Sequence, residues 1–221
     1  QPDLHWLGVH VPVGKLSADQ FEAVARIAQR LGDGDIRLTV WQNFLISGVA
    51  SESLGKVRQE LTAIGLKSDP DGVLQGLVAC TGSEGCKHGQ SATKSTALAI
   101  DSRLAGQLPA DAPVNIHLTG CPHSCAQHYV GDIGLLGTGV EIDGIRHDGF
   151  HILIGGGTGA IARCAVQILT AVPATKVPET VERIVDTWLS KREASETFAQ
   201  FAGRHDAEQL KSLFTSSATV A

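Results

Sequence analysis

Four of the five cysteines in this 221-residue chain stand in two close pairs, Cys80-x5-Cys86 and Cys121-x3-Cys125, with 34 residues between the pairs. If the four act together, the fold must return a distant segment to the first pair. Thiolates are soft ligands that suit zinc or iron-sulfur clusters, and four from one chain meet the full requirement of a 4Fe-4S cluster. Structural zinc is the competing reading: its usual pairs are separated by roughly two to four residues, which Cys121 and Cys125 satisfy and Cys80 and Cys86 do not. Disulfides are the third reading, and they conflict with a reducing cytoplasm. Spacing favours a cluster and leaves zinc open.

Composition narrows the partners. With 43% hydrophobic and 19% charged residues, the chain can bury a substantial core as a soluble globular protein. Its 18 Lys and Arg against 23 Asp and Glu give a net charge of -5. No overall basic field therefore invites nucleic acid or an anionic membrane, and an anionic substrate must be drawn in by local charge. No apolar run approaches the ~20 residues of a membrane-spanning helix, and Gln1 to Gly8 lacks the basic-then-apolar order of a leader. The expected location is the cytoplasm. Met is absent and the chain opens on Gln1-Pro2-Asp3, from which we expect a fragment of something longer.

The apolar pattern predicts an α+β chain in two parts. Leu7 to Val13 reads as a strand ended by Pro12 and Gly14. Ser17 and Gln20 fit a capping box for a helix with Phe21, Val24, Ala25, Ala28 and Leu31 at helical spacing, and Gly32 as its left-handed cap. Ile36 to Val49 reads as strand, tight loop at Gln42-Asn43, strand. Ser51 opens a second helix with Leu54, Val57, Leu61 and Ile64 on its apolar face, closed by Gly65. Together these make a ferredoxin-like βαββα half-domain over residues 1–69. The turn Asp69-Pro70-Asp71-Gly72 marks the boundary, and residues 70–221 form a mixed α/β domain. Its expected elements are strands at Val114 to Leu118, Ile133 to Leu136 and Phe150 to Ile154, helices at Thr93 to Leu104 and Ala160 to Thr170, and a hairpin at Val140 to Gly144. A helical tail is expected from Pro178 to Phe214.

The residues around the cysteines say more than their spacing. Cys80-Thr81-Gly82 to Cys86-Lys87, then Thr119-Gly120-Cys121-Pro122-His123-Ser124-Cys125, then Asp132-Ile133-Gly134-Leu135-Leu136-Gly137, resemble the siroheme and 4Fe-4S signature of nitrite and sulfite reductases. Upstream, Arg37-Leu38-Thr39-Val40-Trp41-Gln42-Asn43 resembles that family's R-x-T-x-x-Q-N segment, so the resemblance covers nearly the whole chain in the family's order. It implies that Cys80, Cys86, Cys121 and Cys125 ligate a 4Fe-4S cluster. It also implies that the sulfur of Cys125 is the axial ligand of siroheme iron, with the opposite haem face open to substrate. The implied activity is stepwise multi-electron reduction of nitrite to ammonia or of sulfite to sulfide.

Cys80-Thr81-Gly82, Thr93-Lys94 and the 132–137 segment look closer to ferredoxin-dependent nitrite reductases, which makes nitrite the expected substrate and ferredoxin or a flavoprotein the expected donor. Sulfite reductase is the first alternative and an oxygen-inserting enzyme of cobalamin synthesis the second. From a different class, the chain could be a non-catalytic electron-transfer or zinc-stabilised module. In the family the anion-binding Arg and Lys residues come chiefly from the N-terminal half, and this chain holds no second copy of the R-x-T-x-x-Q segment. The resemblance thus implies the cluster and axial-ligand half of an enzyme, inactive alone, whose partner is the N-terminal half of the same protein.

Lys87 and Lys94 lie near the cysteines and are candidates for the haem propionates or a ferredoxin partner, with solvated surface lysines as the alternative. His123 stands where sulfite reductases and many nitrite reductases carry Asn. It could donate protons, but the favoured reading is a hydrogen bond that steadies the cluster loop. His128 follows it. Gly155 to Gly159 would suit an anionic group or simply close packing of strand and helix, and the dinucleotide fingerprint is not cleanly met. Cys164, on the following helix, is expected to be a small buried hydrophobe. Arg37 and Gln42 are expected to have no direct role in substrate binding.

Overall fold

A computed structural model describes residues 2–69 and 75–215. The first part is the βαββα unit that the sequence predicts: β1 (Leu4–Val9), α1 (Ala18–Leu31), β2 (Ile36–Leu38), β3 (Phe44–Ala50) and α2 (Leu54–Ala63). Its sheet has the order β1-β3-β2 with both pairs antiparallel. The capping box forms, with Ser17 Oγ accepting from Gln20 N and Gln20 Oε1 accepting from Ser17 N. Val24, Ile27 and Ala28 of α1 and Val57 and Leu61 of α2 share a core with Leu7, Val9, Phe44, Ile46 and Val49.

Several details differ from expectation. The first strand runs over Leu4–Val9 and not Leu7 to Val13, because Pro12–Gly14 forms a short 3-10 turn, and β2 ends at Leu38, short of Val40. Phe21 is 54% exposed. Gly32 is extended (φ -129°), and the left-handed position is Gly34 (φ 88°), whose N–H reaches Ala28 O at 3.1 Å. Gly32 serves close approach instead: a Cβ there would lie 2.6 Å from Ser47 O of β3, so helix and strand leave no room for a side chain.

The second part is a five-stranded mixed sheet, ordered β4 (Leu77–Ala79), β5 (Ile116–Thr119), β6 (Ile133–Ile142), β7 (Ile145–Ile154), β8 (Val166–Pro173). The pairs β4/β5 and β5/β6 are parallel and the rest antiparallel. A parallel pair needs a crossover, and α3 (Thr93–Leu104) lies between β4 and β5 in the chain. The β6–β7 hairpin turns on Asp143-Gly144, both at positive φ, as a two-residue loop requires. The tail is helical as expected, in α4 (Val177–Lys191), α5 (Phe198–Gly203) and α6 (Ala207–Thr215). Trp188, Phe198, Phe214 and Ile184 from the tail share a core with Ile100 of α3 and with Leu118, Leu135 and Ile152 of the sheet.

The helix expected at Ala160 to Thr170 is absent. A short 3-10 turn at Gly159–Ile161 leads into β8, which pairs with β7. The run Val166-Gln167-Ile168-Leu169 is too short to distinguish helix from strand by periodicity, and the otherwise open edge of β7 recruits it as a strand. Cys164 is therefore exposed and not a buried helix residue. Of the boundary turn, only Asp69 lies within the described residues.

The two parts pack together. Val13, 2% exposed, belongs to the second core, and the Trp41 ring meets the edge of His117 at 5.1 Å between centroids. Among the described residues no helix is long and apolar enough to cross a membrane.

Candidate functional site

β4 and β5 run parallel with Ala79 opposite Leu118, so the segments leaving their carboxyl ends start side by side. Cys80 is the first residue after β4 and Cys121 the second after β5. Ligands of open parallel sheets sit beyond these strand ends. The two loops are bonded together: Gly120 N donates to Cys80 Sγ at 3.1 Å, and Gly120 O accepts from Gln90 N at 2.7 Å. The first loop is closed by turns, with Cys86 N to Gly82 O at 2.9 Å, Gly89 N to Cys86 O at 3.0 Å and Ser83 N to Ser91 O at 3.0 Å. The second coils tightly, with Ser124 N to Cys121 O at 3.3 Å and Gln127 N to Ser124 O at 2.8 Å, and it holds Ser124 (φ 58°) and Gln127 (φ 53°) in the left-handed region. Each such residue costs about 1–2 kcal/mol, which the surrounding bonds must offset.

All four thiols are free. Cys121 is buried, Cys80 and Cys86 are half-buried, and Cys125 is exposed. Cys80 and Cys125 line one open cavity of about 480 Å³ together with Thr39, Gln42, Thr81 and Lys94. Among the described residues no three His, Cys, Asp or Glu side chains are grouped closely enough to hold a single ion. Two bonded loops with two free thiols each, and an N–H already directed at a sulfur, offer the four soft ligands that an iron-sulfur cluster requires.

The motif Thr39-x-x-Gln42-Asn43 is a structural joint. Thr39 N donates to Asn43 O at 2.9 Å and Asn43 N to Thr39 Oγ1 at 3.2 Å, closing the turn. Asn43 Oδ1 then accepts from Val11 N at 2.9 Å, and Gln42 Oε1 from Ala79 N at 3.2 Å. Arg37 is exposed beside Asp35 and lines a different hollow with His5 and Trp6.

Lys94, in the first turn of α3, donates from Nζ to the carbonyls of Val13 and Ala79. Burial lowers its pKa, and the neighbouring Cys80 and Glu84 oppose that shift. Lys87 is exposed. His123 is exposed too, and its ring meets the edge of His88 at 5.0 Å, so it touches the other cysteine loop. His128 is buried, 3.4 Å from Ser124 Oγ through Nδ1, and burial lowers its pKa.

Three supporting residues go beyond the expected set. Thr93 Oγ1 donates to Cys80 O at 2.6 Å. The buried Ser91 hydroxyl sits between the carbonyls of Gly149 (2.7 Å) and Thr138 (3.0 Å). Asp148 accepts from Ala92 N at 2.7 Å at the start of α3, where a negative charge is favoured. No local signal marks Asp148, which lies 56 residues from its partner.

A ferredoxin-like half-domain packed against a mixed sheet, with two loops bearing free thiols at adjacent parallel strand ends, defines an α+β protein with soft ligands collected beside one strand pair. Comparisons with known proteins place it further. Residues 1–64 match the family model described as the nitrite/sulfite reductase ferredoxin-like half domain, and residues 73–220 match the nitrite and sulphite reductase 4Fe-4S domain. The chain belongs to the nitrite and sulfite reductase family, whose cofactors are a 4Fe-4S cluster and siroheme.

Among similar proteins, the ferredoxin–nitrite reductase of Synechococcus elongatus is 36% identical over 185 residues, covering 84% of this chain and 36% of that protein. A sulfite reductase [ferredoxin] of Mycolicibacterium paratuberculosis is 32% identical, covering 94% of this chain and 39% of that one. The solved structure of the Mycobacterium tuberculosis NirA protein aligns with a TM-score of 0.85 at 30% identity, over 94% of this chain and 39% of that one. The chain thus spans about a third of the length of the curated relatives it matches.

Proposed function

We propose that this chain is the cluster and axial-ligand half of a siroheme-dependent nitrite reductase. In this reading Cys80, Cys86, Cys121 and Cys125 hold the cluster, and the Cys125 sulfur is shared with siroheme iron. The observation that carries it is the bond from Gly120 N to Cys80 Sγ, which joins the two cysteine pairs. When bound, the two cofactors would relay electrons from the donor to the anion. Relatives named ferredoxin–nitrite reductase favour nitrite as substrate and ferredoxin as donor. Sulfite is the second reading, because the mycobacterial sulfite reductase match extends over more of this chain.

Cys125 is exposed and lines the open cavity, where a flat macrocycle can reach its sulfur. Lys94 is the one cation among the described residues lining that cavity, and its ammonium is already engaged by two carbonyls. A buried carboxylate without a partner costs several kcal/mol. The macrocycle's carboxylates and the substrate anion therefore draw their cations from the N-terminal half of the same enzyme. Leu38 and Val40, 81% and 80% exposed, form apolar surface for that half to cover. We divide the chain at residue 70, assign Lys87 to the electron-donor surface and His123 to steadying the cluster loop, and place the enzyme in the cytoplasm. The plastid is the alternative suggested by relatives named chloroplastic.

In the full-length enzyme, reduced-dye assays should turn over nitrite faster than sulfite. The opposite preference would replace the substrate and leave the family in place. Expressed without its N-terminal half, the chain should neither retain siroheme stoichiometrically nor reduce nitrite, and co-expression with that half should restore both.

A further inference from the structure

β4 is the edge strand of its sheet, yet its last residue, Ala79, is fully buried. Cys80 N bonds inward to Leu118 O at 3.0 Å, and Ala79, one residue earlier, presents its polar groups to the outer edge. A buried edge needs partners that the sheet does not provide. Two side chains provide them. Gln42, from the turn between β2 and β3, accepts the Ala79 N–H through Oε1 at 3.2 Å. Lys94 donates to Ala79 O at 3.1 Å and, with the same ammonium, to Val13 O of the half-domain.

The joint is built at some cost in backbone conformation. Gln42 is held at φ 62°, a left-handed conformation that a non-glycine residue keeps only where its surroundings over-determine it. The Thr39–Asn43 bonds close the turn on one side, and Gly14 packs on the other, so closely that a Cβ there would lie 2.7 Å from Gln42 Cβ. Lys94, Gln42 and Cys80 all line the same cavity.

We propose that Gln42 and Lys94 are positioning residues for the cluster: they complete the edge of β4 across the junction of the two parts, hold Cys80 in its ligand position, and place a fixed positive charge beside it. Such a charge favours the more negative, reduced state and raises the reduction potential, since cluster potentials respond to local charge and hydrogen bonding. This inference rests on reading Cys80 as a cluster ligand.

The test uses the full-length holoenzyme, with the cluster potential followed by redox titration and iron release to a chelator followed in parallel. Lys94→Gln, which keeps an amide donor and loses the charge, should shift the potential in the negative direction, and Lys94→Arg should restore it. Gln42→Leu should release iron several-fold faster than the wild type. Lys56→Met, an exposed lysine on α2, should change neither reading. A wild-type potential in Lys94→Gln, or wild-type iron release in Gln42→Leu, overturns the proposal. If Lys94→Gln does not fold, the iron release of Gln42→Leu still decides it. Failure of the underlying reading looks different: Cys80→Ser would then keep its full iron and sulfide.

Discussion

Gly120 directs its backbone N–H at the sulfur of Cys80 from 3.1 Å, and the two residues follow adjacent parallel strands. The bond ties the loop that carries the second cysteine pair to the first residue of the first pair. Cys80→Ser should accordingly abolish the charge-transfer absorption of the cluster, checked by visible spectroscopy with iron and sulfide assays. Unchanged iron would remove Cys80 from the ligand set. Cys164→Ser should leave iron and sulfide intact and alter stability by no more than about 0.5 kcal/mol, because Cys164 is exposed.

What the sequence made readable was mostly local. The Ser17–Gln20 capping box and the Asp143-Gly144 turn form between near neighbours, so residue types alone announce them. The run from Val166 to Leu169 could have been either helix or strand, and β7 decided it from a distance. Lys94 shows the same limit within the site. Its place after Cys86 brings it near the cysteines, but nothing local turns its ammonium toward Val13, 81 residues earlier. The cysteine signature named a site, and the partners of Ala79, Ser91 and Ala92 became visible only in three dimensions.

The helical tail is part of the second core. Trp188 is fully buried, its ring 5.3 Å from that of Phe198, and Phe198 stacks on Phe214. Trp188→Ala should cost about 3–5 kcal/mol in urea unfolding. Trp188→Phe should cost less, because it keeps a buried aromatic ring against Phe198, and the indole N–H that it removes has no partner among the described residues. A Trp188→Phe loss well above that expected for the smaller ring alone would show that the N–H is satisfied.

Leu38 and Val40 are almost fully exposed, and Leu38 lines the cysteine cavity. Changing both to Ser should leave the stability of the 221-residue chain within about 0.5 kcal/mol of its starting value, since exposed side chains contribute little. Self-association of the isolated chain, measured by sedimentation velocity, should fall. In the co-expressed enzyme, capture of the N-terminal half should weaken. Unaltered association in both assays would mean that this surface meets neither a second copy nor the other half.

Two buried groups should oppose each other in the pH dependence of stability. His10 is buried with neither ring nitrogen bonded among the described residues, and burial pushes its pKa from 6.5 down to about 4. Asp132 is buried with Asn115 donating to its Oδ2 from both N (2.8 Å) and Nδ2 (3.2 Å). Burial still outweighs those bonds and pushes its pKa from 3.8 up to about 6. Below its ordinary value the unfolded chain protonates His10 more readily than the native one, so this contribution is complete above pH 6.5 and is lost as pH falls toward 4. For Asp132 the native state binds the extra proton, so its penalty is absent below pH 3.8 and complete above about 6. Each swing is on the order of 3 kcal/mol, and the two nearly cancel in wild type. Asp132→Asn should therefore unmask His10, giving stability that climbs with pH between about 4 and 6.5. His10→Phe should unmask Asp132, giving stability that declines as pH rises from about 4 to 6. Urea unfolding followed by tryptophan fluorescence across this range distinguishes the two, and curves for Asp132→Asn that run parallel to wild type would show that Asp132 does not titrate there.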